Sequence, residues 1–203
     1  MDPVALRSDY AKRLKIYKVA AESFEGELNM ALRPVWNNVD RVSVRVKDPH
    51  SFVEKVTKRK KGKYRHPFCE VEDQIAGRVI VRFEEDMKSV QDIIKRRFNA
   101  IEEDRREPSE QDKFGYETLH FILALPIECK PGNWGEMDEM PNTVELQVRT
   151  IFMHAWAETS HDILYKSSAP ISDDDKRMIY WVAASAWGCD QAYNKIINKR
   201  RIL

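Results

Sequence analysis

The sequence predicts an α+β protein in which a single mixed β-sheet is flanked by helices. Three observations carry that expectation. Val144, Leu146 and Val148 alternate with Glu145, Gln147 and Arg149, and Val42, Val44 and Val46 alternate with Arg41, Ser43, Arg45 and Lys47. A period of two marks strands with one apolar and one polar face. Segments of helical period stand at both ends, and the order helix, strand, helix, strand, helix, strands, helices covers one sheet with helices. At 203 residues the chain buries one sizeable core, so residues 1–203 read as one domain.

Along the chain, residues 5–32 space apolar residues as one or two helices do. After the strand at 41–47, Asp48-Pro49 opens a helix expected to run to about Lys60, with Pro49 in its first turn. Lys58 to Arg65 reads as a basic loop containing Gly62. Ala76 to Phe83 is rich in β-branched residues, as a strand is. Asp86 to Phe98 reads as a helix capped by Asp86, with Val90, Ile93, Ile94 and Phe98 inward. A short strand is expected over Asn99–Asp104, a polar loop over 105–115 and a strand over Glu117–Leu125. Pro126, Pro131, Gly132, Gly135 and Pro141 mark a long surface loop. Thr143 to Arg149 is a strand, and helices follow over 151–166 and 173–199. In the first of these, Phe152, Ala155, Trp156, Thr159 and Ile163 form the expected apolar face.

Composition excludes some classes. No apolar run approaches membrane-spanning length. Met1-Asp2-Pro3-Val4 does not lead from basic residues into an apolar stretch, so no secretory signal is expected. Cys69, Cys129 and Cys189 lie far apart, which fits reduced thiols in a cytoplasmic setting. The formal net charge of +1 conceals an asymmetry: residues 41–65 hold ten Lys or Arg against Asp48 and Glu54. The rest of the chain is therefore net acidic, and the basic stretch needs an explanation.

Five segments carry candidate chemistry. On the strand Val144 to Arg149, the polar side chains Glu145, Gln147 and Arg149 share one face. Alone this is a solvated sheet face; with the row Arg45 and Lys47 on the same face it becomes a charged floor suited to phosphate. Around Asp48, two cations end a strand and a helix begins, so free backbone N–H groups and a positive dipole end invite phosphate. Ser51 stands in its first turn, and Lys55 and Lys58 follow along one face. Basic surface helices are often only solvated. Asp73, before the strand that carries Arg78, fits a magnesium ion, which takes one or two carboxylates plus substrate phosphates; taken alone, the segment reads more readily as a turn Asp with a surface Arg. Gly115-Tyr116 offers an aromatic for stacking on a base, with His120 nearby as a phosphate donor or a half-buried polar residue. His154, Glu158, His161 and Tyr165 line a second face of their helix. That spacing is not the zinc-protease arrangement, and a structural pairing is the better reading.

Together these segments resemble the synthetase domain of the RelA/SpoT family, the alarmone ((p)ppGpp) synthetases. The residues concerned are Arg45-x-Lys47-x-x-x-Ser51-x-x-x-Lys55, Asp73-x-x-x-Gly77-Arg78, Gly115-Tyr116-x-x-Leu119-His120, Glu145-Leu146-Gln147-Val148-Arg149-Thr150 and His154-x-x-Ala157-Glu158-x-x-His161-x-x-x-Tyr165-Lys166. The resemblance covers about residues 40–166. Without a hydrolase domain before it or a regulatory region after it, the chain is similar to a small, single-domain synthetase.

The resemblance implies a nucleotidyltransferase-like synthetase fold and a set of roles. Arg45 and Arg78 would sandwich the adenine of ATP. Lys47, Ser51, Lys55 and Lys58 would hold its phosphates, and Asp73 would bind magnesium (Mg2+). Glu145 would serve at the ribose 3′-hydroxyl of GDP or GTP as magnesium ligand or general base. Tyr116 would stack on the guanine; His120, Gln147, Arg149 and Lys113 would line the acceptor pocket. In the family the region after Lys166 supports oligomers, so a homo-oligomer is one expectation. Thr118 stands where the family commonly has Ser, and the loop 107–114 is more acidic than in a typical guanosine-tetraphosphate synthetase. Two alternatives stay open. Some small relatives pyrophosphorylate the tRNA 3′ end or adenine nucleotides, and the basic run 58–65 suits an RNA backbone. A non-catalytic nucleotide-binding module is the other, disfavoured by the presence of both Asp73 and Glu145.

Overall fold

The computed structural model describes residues 2–106, 118–166 and 171–201. The first helix, α1 (Pro3–Ala31), is a single continuous element. The Asp2 carboxylate caps it, accepting from the N–H groups of Val4 at 3.1 Å and Ala5 at 3.2 Å. Tyr10, Tyr17, Phe24 and Leu28 recur at helical spacing and are fully buried, so one stripe of α1 enters the core.

Five strands follow: β1 (Val39–Val46), β2 (Ile75–Val81), β3 (Ala100–Arg106), β4 (Thr118–Ala124) and β5 (Thr143–Thr150). They form one sheet in the order β1-β2-β5-β4-β3, with β2 and β5 parallel and every other pair antiparallel. The expected mixed sheet is thus observed. Its core face carries Ile75, Gly77, Val79 and Val81 of β2, Val144, Leu146 and Val148 of β5, and Leu119, Phe121 and Leu123 of β4. Gly77 is glycine for a reason: a Cβ there would stand 2.8 Å from Leu146 Cδ1. Against this face pack α1, the short α2 (Pro49–Glu54) and α4 (Asp86–Arg97), with α3 (Pro67–Glu70) between β1 and β2 in sequence. Tyr10 stacks on Phe52 at 4.1 Å and Phe52 on Phe68 at 5.5 Å, which ties α1, α2 and α3 into one aromatic ladder.

Some expectations are corrected. The helix expected over 48–60 breaks into α2 and a π turn at Lys55–Arg59, closed by Lys60 N–H donating to Lys55 O at 2.9 Å. The cause is local: the Thr57 hydroxyl donates to Val53 O at 2.8 Å and so competes for a carbonyl the α-helix needs. Asp86 is not a cap; it is the first residue of α4 and is buried, while Glu85 holds the cap position and its side chain makes no capping hydrogen bond to the helix N–H groups. Strand β3 continues to Arg106 instead of ending at Asp104.

Helices α5 (Ile151–Lys166) and α6 (Asp173–Arg201) complete the chain. The apolar face expected for α5 is also corrected: Ala155, Thr159 and Ile163 are exposed, whereas Met153 and Ser160 are buried. The reason is that α5 also meets the polar face of the sheet, where the partly exposed His154 and Glu158 reach charges on β1 and β2, so that of the expected face only Phe152 and Trp156 pack, against α6. Among the described residues, no helix is long and apolar enough to cross a membrane.

Candidate active site

Residues opposite one another on paired strands send their side chains to the same face. The register therefore assembles rows across the polar face. One row runs Arg45, Ala76, Glu145 and Ile122; the next runs Ser43, Arg78, Gln147 and His120; a third sets Arg41 and Arg149 on either side of Ile80. Arg45, Glu145, Gln147 and Arg149 thus share one face, as expected from alternation.

Lys47 lies just beyond β1, beside the turn that leads into β2, and its N–H donates to Gln74 O at 2.8 Å. Its Nζ stands 2.6 Å from Asp73 Oδ2, and Lys55 Nζ stands 2.9 Å from Asp73 Oδ1. One carboxylate therefore gathers two cations expected to touch phosphate. Gln74 holds the turn in place. Its buried amide donates to Phe68 O at 2.8 Å and Val71 O at 2.9 Å and accepts from the Tyr17 hydroxyl at 3.3 Å. This residue went unremarked in the sequence, because a glutamine in a turn reads as solvated.

The start of α2 differs from expectation. Asp48 Oδ1 accepts from His50 N–H at 2.9 Å and Ser51 N–H at 3.1 Å. Those two groups are engaged by the cap and are not open to an anion, which leaves side chains as the donors on this side. Ser51 and Lys58 are exposed on that side.

On β4 and β5, His120 Nδ1 lies 2.8 Å from Glu145 Oε1, and Gln147 Nε2 donates to the same oxygen at 3.3 Å. His120 is buried and Glu145 nearly so, with side chains 6% and 13% exposed. Gln147 Oε1 is buried without a hydrogen-bond partner among the described residues. Such an atom is suited to a donor on a ligand. Tyr116 and Lys113 lie outside the described residues.

Helix α5 contributes two contacts that the sequence reading left without a role. Glu158 Oε1 accepts from Arg78 NH1 at 2.7 Å, and His154 Nε2 lies 3.0 Å from Arg41 NH2. Arginine only donates, so His154 Nε2 is the acceptor and the proton sits on Nδ1. Burial holds the His154 imidazole below its ordinary range; Glu158 opposes this, and Arg78, Arg41 and Arg149 reinforce it. Burial pushes the Glu158 carboxyl up, but the Arg78 guanidinium beside it prevails, and the group lies below the usual carboxylate range. The signal in the sequence was the i, i+4 spacing of His154 and Glu158 on a helix that directly follows β5.

The ends of β2 and β5 thus bring two carboxylates, Asp73 and Glu145, near Arg45, Lys47, Lys55 and Arg78. The carboxylates are hard oxygen donors. Among the described residues no three His, Cys, Asp or Glu side chains gather closely enough for an all-protein metal cage. Magnesium does not need one, because phosphates and water complete its shell.

Known proteins share the sequence pattern and the fold of this chain. The chain is 26% identical over 159 residues to the GTP pyrophosphokinase YjbM of Bacillus subtilis strain 168, covering 78% of this chain and 72% of that protein. The structure of the small alarmone synthetase 1 from Bacillus subtilis superposes with a TM-score of 0.79 at 22% identity, over 96% of this chain and 99% of that one. The same synthetase bound to its product pppGpp superposes with a TM-score of 0.76 at 23% identity, over 94% and 97%. A sequence model described as the region found in RelA / SpoT proteins matches residues 44–170, more than half of the chain. The chain belongs to the RelA/SpoT family.

Proposed function

We propose that this protein transfers pyrophosphate from ATP to the ribose 3′-hydroxyl of GDP or GTP, making (p)ppGpp as a GTP pyrophosphokinase. The observation that carries the reading is the row in which Ala76 alone separates Arg45 from Glu145. A cation for the donor and a carboxylate for the acceptor stand two strands apart, about 10 Å between backbones. A methyl-sized side chain leaves the space between them for the phosphates.

The donor side follows from register. Arg45 faces Ala76, and Arg78 is two residues further along β2, a diagonal pair. Diagonal neighbours stand about 7–8 Å apart. Two van der Waals contacts of about 3.5–4 Å each fill that gap, so one planar base fits between the guanidinium groups. Lys47, Lys55, Lys58 and Ser51 then meet the phosphates.

The reaction forms a bond from the acceptor 3′-oxygen to the β-phosphorus of ATP and breaks the bond from that phosphorus to the α,β-bridging oxygen. AMP leaves with the electron pair. Glu145 takes the hydroxyl proton, held in place by His120 and Gln147. Gln147 Oε1, Arg149, Lys113 and Tyr116 bind the acceptor, Tyr116 by stacking on its base. Asp73 and Glu145 would hold magnesium, which when bound neutralises the charge that builds on the phosphoryl oxygens. Residues 1–203 act as one synthetase domain in this reading, and the separated free cysteines suit a reducing cytoplasm.

Incubation of the protein with β-labelled ATP and, in turn, GDP, GTP, ATP or bulk tRNA tests the assignment. Label is expected in GDP or GTP. Label in tRNA alone, or in the adenine nucleotide alone, would replace the acceptor in this reading.

A further inference from the structure

The contact between Arg78 and Glu158 spans two layers of the molecule, the sheet and the helix laid over it. Arg78 is on β2, on the row shared by Gln147 and His120; Glu158 is two turns into α5. Their nearest atoms, Arg78 NH1 and Glu158 Oε1, stand 2.7 Å apart, and the arginine side chain is 23% exposed against 48% for the glutamate. A guanidinium group donates its hydrogen bonds in its own plane. A carboxylate at its edge therefore fixes the orientation of that plane and leaves both faces open. One turn earlier on the same stripe, His154 meets Arg41, so α5 carries two acceptors over two arginines of adjacent strands.

From this arrangement we infer that Glu158 is a positioning residue for the ATP-binding arginine Arg78, and that α5 sets the donor-base slot through it. The inference rests on the pyrophosphokinase reading, in which Arg78 forms one wall of that slot. An unrestrained arginine samples many rotamers and must be ordered when the base binds. Ordering it beforehand removes that cost from binding. Coulomb attraction alone would not need the contact, since Arg78 keeps its charge at all working pH values. What Glu158 adds is direction, and the loss should fall on the donor and not on the chemical step.

The test is steady-state kinetics with ATP and acceptor titrated separately, on Glu158→Ala, Glu158→Gln, Arg78→Ala and the double variant Glu158→Ala with Arg78→Ala. Glu158→Ala is expected to raise KM for ATP about ten-fold, the loss of one charge-assisted contact. Turnover and acceptor KM should stay within about two-fold, because an interaction equal in ground and transition states changes KM alone. Glu158→Gln keeps the size and one acceptor oxygen, and should restore part of the affinity. The double variant should be no worse than Arg78→Ala, since a residue acting through another has nothing to add once that other is gone. A purely structural role for Glu158 would instead lower thermal stability and turnover together and add to Arg78→Ala. That pattern, or an unchanged KM for ATP in Glu158→Ala and Glu158→Gln beside a raised one in Arg78→Ala, overturns the inference. If Arg78→Ala itself leaves KM for ATP unchanged, the donor-site reading fails first.

Discussion

His120 Nδ1 and Glu145 Oε1 lie 2.8 Å apart on neighbouring antiparallel strands, in the part of the sheet where β4 and β5 are both buried on their core side. A carboxylate accepts, so the His120 Nδ1–H donates and holds one carboxylate oxygen in a fixed direction. His120→Ala is expected to lower turnover by about 100-fold, as misplacement of a reacting group does, while KM for ATP changes little. Single-turnover rates at saturating ATP check this, and a larger effect on ATP affinity than on turnover would count against it.

In the proposed mechanism, Glu145→Gln removes the proton acceptor and retains the shape. Transfer is expected to fall by about 100-fold or more, with ATP binding nearly intact, because the lost interaction acts mainly in the transition state. Calorimetric ATP titration beside product formation separates the two. Near wild-type turnover in a folded Glu145→Gln protein would refute the assignment.

Arg45→Ala and Lys55→Ala are each expected to weaken ATP binding, with different salt dependence. In the proposed donor site Lys55 would act as a point charge, so its loss should be felt more at low ionic strength than at high. Arg45 would act there by stacking, and its loss should depend less on salt. Binding isotherms at two ionic strengths decide; parent-like affinity in both variants would move the donor site elsewhere.

The exposed cations Lys60, Lys61 and Lys63 follow the π turn, away from the acceptor strands β4 and β5 in sequence. Neutralising all three should leave activity on GDP or GTP close to the parent. An RNA acceptor would depend on several phosphate contacts and on counterion release, and would be lost. Activity measured with each acceptor tells the two apart.

A further side-chain ion pair joins His66 to the loop that precedes β5. His66 Nδ1 stands 2.5 Å from Oε1 of Glu139 in that loop. The hydrogen bond and charge of Glu139 raise the His66 pKa above its ordinary 6.5. The sign follows: the pair's contribution is fully present below pH 6.5 and is lost as pH rises through the higher folded-state value. An NMR titration of His66 should give a midpoint above 6.5, and Glu139→Gln should return it towards 6.5. An unchanged midpoint in Glu139→Gln would assign the shift to another group.

Strands β1 and β5 were legible in the sequence because each sets an apolar face, buried on β5 and half-buried on β1, against a charged one, and strict alternation survives that division. Helix α1 was legible for the equivalent reason at a period near four. The break at Lys55 was not, since one threonine hydroxyl competing for Val53 O leaves no mark on hydrophobic spacing. The apolar face of α5 was legible only in part: Phe152 and Trp156 pack against α6, whereas Ala155, Thr159 and Ile163 stay exposed because the helix meets the charged sheet face through His154 and Glu158. The same sheet face explains why the candidate site could be anticipated in part. Residues two apart on one strand are known to share a face, but the pairing of Arg78 with Glu158 joins positions 80 residues apart, and only the fold sets it.

The double contact at Asp73 has a consequence for how a nucleotide arrives. With Lys47 on one oxygen and Lys55 on the other, the pocket behaves as an ion exchanger already loaded with its counter-ions. A phosphate chain that takes either lysine releases an oxygen of Asp73, and that oxygen then seeks a cation of its own. A nucleotide that brings a divalent cation supplies both halves of the exchange at once. Bare nucleotide supplies one half and leaves a carboxylate facing phosphate. In the proposed function the triad would therefore discriminate by the charge state of the incoming ligand, before any base or hydroxyl has been read.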